Sequence, residues 1–216
     1  MTETISLPET PLATAAHRLL TEALPDHLRH HSIRGYLFGL AVARGHGLRP
    51  GVDYDDETMF LICALHDIGL SDRANGNQRF EMDGADYAAT FLEERGVTDD
   101  RVDIVWDAIA AHTTGLSGSP VYRRRRPAEI WIAVDGIGID VMGGPGDLPP
   151  GYADLVHAAY PRLGGTRALT ESIAAQAITN LHKAPPGSLP GEIVRQRHPE
   201  SPYPTWDTIS ANGWGD

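Results

Sequence analysis

The run Met59-Phe60-Leu61-Ile62-Cys63-Ala64-Leu65, followed at once by His66-Asp67, decides how the chain is read. Seven consecutive apolar residues leave no polar face, so a helix here belongs at the centre of a domain rather than on its edge. Asp53, with Asp56 three residues on, resembles a capping box and opens this helix at residue 55, with its end near 68. His66 and Asp67 therefore stand at the buried end of a core helix. An ionised carboxylate buried without a partner costs several kcal/mol, so Asp67 requires a cation, a set of donors or a raised pKa. A divalent metal meets that requirement. So does a plainer arrangement, in which Asp67 caps the turn Ile68-Gly69 and His66 bonds a backbone carbonyl; for this pair alone both stay open.

On either side of this run, helix punctuation recurs and strand alternation is hard to find. Thr10-Pro11 reads as an N-cap with proline in the first turn, and Leu12, Ala16, Leu19 and Ala23 share a face until Pro25. The spacing predicts further helices over 26–45, ended by Gly45 and Gly47, over 80–95, ended by Gly96, and from Thr98 to 113. Others are predicted over 128–143, 151–160 and 166–183. The stretch 115–127, with Arg123-Arg124-Arg125-Arg126, reads as a solvated polar loop. Residues 1–183 form one all-α domain on this reading, with a core at about 26–145. Residues 184–216, rich in proline and glycine, read as an irregular extension packing over it through Tyr203, Trp206 and Trp214.

Composition narrows the function. The 216 residues carry 18 basic and 29 acidic side chains, a formal charge of −11, with Lys183 the only lysine. Such a field repels polyanions, which argues against nucleic acid or an anionic membrane surface as partner. One cysteine, Cys63, allows no internal disulfide and points to a reducing cytoplasm. Residues 1–9 lack the basic and apolar segments of a signal peptide, and no apolar run has membrane-spanning length. A small-molecule substrate is expected, and homo-oligomerisation stays open.

A second apolar helix, Ile130 to Met142, is interrupted by Asp135 and Asp140. Five residues apart on a helix, these point about 140° from one another, so one ion is not expected to take both. Asp140 is the preferred ligand, with Asp135 left to hydrogen-bond another polar group. On 26–45, His27 and His31 are four apart, but the glutamate of the zinc-protease pattern is missing, and of His30 and His31 at most one should be a ligand. His112 reads equally as a core histidine. His17, His46, His157, His182 and His198 show no grouping and are assigned to the surface.

The segments His31-Ser32-Ile33-Arg34-Gly35-Tyr36, Ala64-Leu65-His66-Asp67-Ile68-Gly69, Arg79-Phe80-Glu81-Met82-Asp83-Gly84-Ala85, Ala108 to Thr113 and Ile139-Asp140-Val141-Met142-Gly143 together resemble the HD-domain superfamily of metal-dependent hydrolases. The likeness is nearest to its cyanamide-hydratase-like branch. It implies an HD-type helical bundle whose His31, His66, Asp67 and Asp140 hold one divalent ion, zinc first, with manganese or iron as alternatives. A lone His112 between the dipeptide and the last aspartate fits a mononuclear rather than a dinuclear centre, and Leu70 replaces a lysine frequent in the family. Glu81, Asp83 and His112 are the implied proton-handling residues, and Arg34 and Arg79 the substrate-binding ones. The implied activity is water addition to a small polar substrate such as cyanamide or a nitrile. A phosphomonoesterase acting on a nucleotide or other small phosphate is the alternative, and a degenerate HD domain serving as a binding module the third.

Overall fold

The computed structural model describes residues 5–211 and 213. Among them the chain is all-α, with no strand. Its helices are α1 Pro11–Ala23, α2 Asp26–Gly45, α3 Asp56–Leu65, α4 Phe80–Glu93, α5 Arg101–Ala111, α6 Pro120–Arg125, α7 Ala128–Met142, α8 Tyr152–Ala159, α9 Gly165–Thr179, α10 Leu189–Arg197 and α11 Trp206–Ser210. As the apolar run requires, α3 is central: every residue from Thr58 to Leu65 is buried, and α1, α2, α5 and α7 pack around it. No helix among the described residues is long and apolar enough to cross a membrane.

The most extensive helix pair is α2 against α7. Gly136 makes this crossing possible, because a Cβ there would overlap the Gly35 carbonyl and the Gly39 amide nitrogen. Gly35 is confined less severely, since its Cβ would lie 2.9 Å from a side-chain atom, Ile137 Cγ1. The close approach sets residues 31 and 34 of α2 against residue 140 of α7. A similar contact follows the His-Asp pair, where Gly69, in a 3-10 turn over Ile68–Leu70, leaves no room for a side chain beside the Phe80 carbonyl. This holds the start of α4 against the end of α3.

Several sequence expectations need correction. Asp55, not Asp53, caps α3, accepting from the Thr58 amide at 2.7 Å, and the α-helix stops at Leu65, so that Asp67 lies in the turn beyond it. The helix expected from Thr98 starts at Arg101, whose amide is held by the Asp99 side chain at 3.1 Å. The arginine run is not a loop: Ser119 caps and Pro120 starts α6, and Arg123 is paired with Asp135 at 2.8 Å and stacked over Trp131. The extension is not irregular throughout, because Ser188 and Pro190 start α10, and Ala177, Ala184 and Val194 form a small second core that Tyr203 covers. Trp206 does not pack, being 75 % exposed, and Trp214 lies outside the described residues.

Gly136→Ala should cost about 1–3 kcal/mol in urea unfolding through overpacking. Gly138→Ala, where a Cβ meets no atom within 4 Å, should instead leave stability unchanged or raise it by up to about 1 kcal/mol. Equal midpoints for the two variants would contradict the close crossing.

Candidate metal centre

The end of α3 and the middle of α2 bring three donors together. His31 Nε2, His66 Nε2 and one Asp67 carboxylate oxygen lie within 4.8 Å of one another, all on buried residues, and among the described residues they form the one such group. A hydrogen bond at Nδ1 assigns each ring its tautomer. His66 Nδ1 donates to the Cys63 carbonyl at 2.8 Å, and His31 Nδ1 donates to Asp140 Oδ2 at 2.7 Å, so both Nε2 atoms present lone pairs. These face each other at 3.2 Å, with Asp67 Oδ2 at 3.3 Å from His66 and 3.7 Å from His31. Asp67 Oδ2 has no hydrogen-bond donor.

Three electron-rich atoms facing one another out of water repel unless something positive sits among them. The titration tendencies report the same demand. Burial opposes charge on His66, yet the Asp67 carboxylate beside it raises its pKa above the ordinary value. Burial likewise pushes Asp67 up, and His66 and His31 more than reverse it, holding the carboxyl below the usual range. A divalent cation fits the donor set: two imidazoles and a carboxylate are first-row metal ligands, and two nitrogens about 2.1 Å from one ion can stand 3.2 Å apart. Of the two plain roles open to the pair, that of His66 applies, since it bonds a backbone carbonyl, whereas Asp67 stands at the N-cap of the following turn without a side-chain cap bond.

Asp140 departs from its expected place as a ligand. It is buried, but stands behind His31, on the side away from His66 and Asp67. Its oxygens are occupied by the Arg34 guanidinium, Nε to Oδ1 and Nη2 to Oδ2, both at 2.7 Å, and by His31 Nδ1. Burial alone would raise its pKa, and the Arg34 and His31 hydrogen bonds outweigh burial to hold it well below the usual range. Arg34 in turn donates to the carbonyls of Tyr160 and Pro161 and is 1 % exposed, so the substrate-binding role expected of it is closed off. Helical phase points Asp140 inward but does not reveal that Arg34, three residues after His31, meets the same carboxylate. Asp135 is held by Arg123, as the alternative for it required.

The remaining candidates divide. Glu81 is fully buried near the start of α4; Oε1 accepts from Thr113 Oγ1 at 2.5 Å and Oε2 has no partner. Arg79 approaches Oε1 at 3.6 Å with its side chain 24 % exposed. Asp83 is not free for proton transfer, because the Lys183 ammonium and the Gln78 amide hold it. The His112 ring meets the edges of His66 at 5.1 Å and Phe80 at 5.7 Å. Its Nδ1 donates to the Ile109 carbonyl, and burial with His66 nearby pushes its pKa down to about 4. It is thus a neutral ring with an acceptor nitrogen, not a proton donor.

Away from the centre, His27 bonds Ser172 and His30 bonds the Pro161 carbonyl, so neither joins His31. His157, assigned to the surface, is half-buried with Nε2 unpartnered. Among the aromatic residues, Trp131 lies against His46, Tyr36 bonds Asp56 and Phe38 packs on His157, whereas Phe80 is the ring beside His112 at the site. Sequence reading also missed Thr113 and Arg162, which donates to the Asp140 carbonyl at 2.9 Å. Thr113 was within reach, as the neighbour of His112 in a segment already singled out.

Comparison with known families returns one match: a family model described as HD domain covers residues 28–142, just over half the chain. No curated protein matches it.

Replacing His31, His66 or Asp67 with alanine should abolish binding of a divalent metal in equilibrium dialysis. Asp140→Asn should keep one ion per chain at about 10–100-fold weaker affinity, the usual effect of disturbing a group behind a ligand. In chelator-treated protein, Asp140→Ala should cost about 3–5 kcal/mol, because it strands the buried Arg34 charge. The depressed carboxyl contributes stability that is full above its unfolded pKa of about 3.9 and is lost as pH falls through the folded value. Asp140→Asn should therefore flatten the acid limb of stability against pH, and an unchanged limb would contradict the pairing.

Proposed function

The chain belongs to the HD-domain family, a superfamily of metal-dependent hydrolases, and we propose that it adds water to a small polar substrate of cyanamide or nitrile type at one divalent ion held by His31, His66 and Asp67. The observation that carries this reading is the presence of two buried carboxylate oxygens without a donor, one on Asp67 and one on Glu81. The first asks for a cation. The second asks for a proton-bearing partner such as a water molecule.

An ion held by His31, His66 and Asp67 would lower the pKa of a water molecule and polarise an electrophile. Zinc suits two imidazoles and a carboxylate, with manganese or iron as alternatives. Glu81 is the proton carrier: its Oε2 takes a proton from the attacking water while Thr113, donating to Oε1, fixes the carboxylate's orientation. The water oxygen bonds to the nitrile carbon, one C–N π bond opens and its nitrogen takes one water proton, giving isourea, whose remaining hydroxyl proton then shifts to nitrogen to leave urea. His112, whose Nδ1–H is committed to the Ile109 carbonyl, keeps Nε2 as the acceptor that orients an N–H of the substrate. Phe80 packs edge-on against that ring at 5.7 Å.

The choice between substrate classes rests on guanidinium groups. Arg34 is held by Asp140 and two carbonyls, so Arg79 is the guanidinium beside Glu81 that a phosphate would meet among the described residues. A small uncharged substrate fits this poverty of free cations better. Arg79, partly exposed, is what favours the second reading, a phosphomonoesterase.

Protein loaded with zinc, manganese or iron should release urea from cyanamide, and a chelator should stop it. Orthophosphate from nucleoside monophosphates, with no urea, would instead establish the second reading. Neither product, together with no metal uptake, would reduce the domain to a binding module. Glu81→Gln should lower kcat by about 10²–10⁴-fold, the range for a general base, while metal content stays at the wild-type level.

A further inference from the structure

Lys183, the one lysine in the chain, is 2 % exposed and lies in a 3-10 turn over Leu181–Lys183, outside the matched residues 28–142. Its ammonium donates to the Asp83 carboxylate and, at 3.1 Å, to the Gly76 carbonyl. Asp83 Oδ1 also accepts from the Gln78 amide at 3.2 Å, and Gly76 lies so close that a Cβ on it would come within 2.5 Å of that oxygen. Two neighbours reinforce the grip. Gln176 Nε2 donates to the Gly69 carbonyl and Asn180 Nδ2 to Asn77 Oδ1, both at 2.7 Å. From α9 onward, then, the chain clasps the whole connection between the Asp67 turn and α4.

We infer that Lys183 is a positioning residue: by anchoring Asp83 and Gly76 it fixes the first turn of α4, and with it the carboxylate of Glu81. The inference rests on the role proposed for Glu81. Two residues apart on a helix, Glu81 and Asp83 point about 200° from each other, so the turn is held from opposite sides, by Thr113 through Glu81 and by Lys183 through Asp83. The first turn of a helix has amides without helical partners and is the part most prone to fray. No side chain caps α4 from Arg79, so its first turn relies on tertiary contacts, the Asp83 clasp among them. Misplacing a catalytic group by about 1 Å is enough to lose on the order of 100-fold in rate.

The test uses the full-length, zinc-loaded protein with cyanamide as probe, or a nucleoside monophosphate if orthophosphate is the product found. Lys183→Met should lower kcat by about 10–100-fold with KM within about threefold and metal content unchanged. Amide exchange should accelerate across residues 76–84 and not in α3 or α7. Lys183→Met with Asp83→Asn removes both buried charges; Tm should recover while kcat stays low, because the clasp is still missing. Recovery of kcat together with Tm would overturn the inference, since Lys183 would then act only on stability. Unchanged kcat or unchanged exchange over 76–84 in Lys183→Met would overturn it as well. If Lys183→Met does not fold, Asp83→Asn and the double variant decide by the same readouts. If the wild-type protein turns over neither probe, the proposed function fails on its own account, and exchange over 76–84 still decides whether Lys183 holds that turn.

Discussion

The site depends on how closely α2 and α7 approach. Only glycine at 136 lets the backbones meet at Gly35 and Gly39, and only at that separation does the Asp140 carboxylate reach both Arg34 and His31 Nδ1. That contact orients the His31 ring and assigns its proton to the far nitrogen, leaving Nε2 to face His66 and Asp67. A carboxylate that looks from the sequence like part of the ion's inner shell thus acts one bond further out. Its negative charge, compensated by Arg34, makes the imidazole a better donor.

Around this axis two unmet electrostatic demands are set apart. On one side, Asp67 and two imidazole lone pairs create a demand for a cation in a setting where Cys63 and its neighbours exclude water. On the other, Glu81 keeps an oxygen unpartnered while Thr113 holds its mate. Each orphaned oxygen would be a liability in a protein built only for stability, where a missing donor costs about 1–3 kcal/mol. Asp67 follows His66, and α4 reaches the ring of His112 beside it through Phe80 while Glu81 bonds the adjoining Thr113, so the two oxygens belong to neighbouring parts of one site.

The parts of this architecture that were legible in the sequence are those set by neighbours along the chain. Seven apolar residues make α3 central, and the following His66-Asp67 must then be buried in need of a counter-charge. His31 was legible through its companion segments. The rest depends on partners distant in sequence. Arg34 meets Asp140 across 106 residues, and Lys183 meets Asp83 across 100. Helical phase tells where a side chain points, not what arrives to meet it, so Asp140 was placed on the ion and Asp83 among the proton carriers. The arginine run misled for a related reason. Four adjacent cations look solvated until Asp135 and the Trp131 face supply a landing for Arg123.

Seclusion of the sole primary amine among the side chains has a practical corollary. Acylating reagents that seek ε-amino groups find none on the folded surface, because the surface bases are arginines and the one such amine is enclosed by Asp83 and Gly76. Uptake of label at that position therefore clocks the opening of the clasp itself, giving a chemical stopwatch that needs no engineered probe.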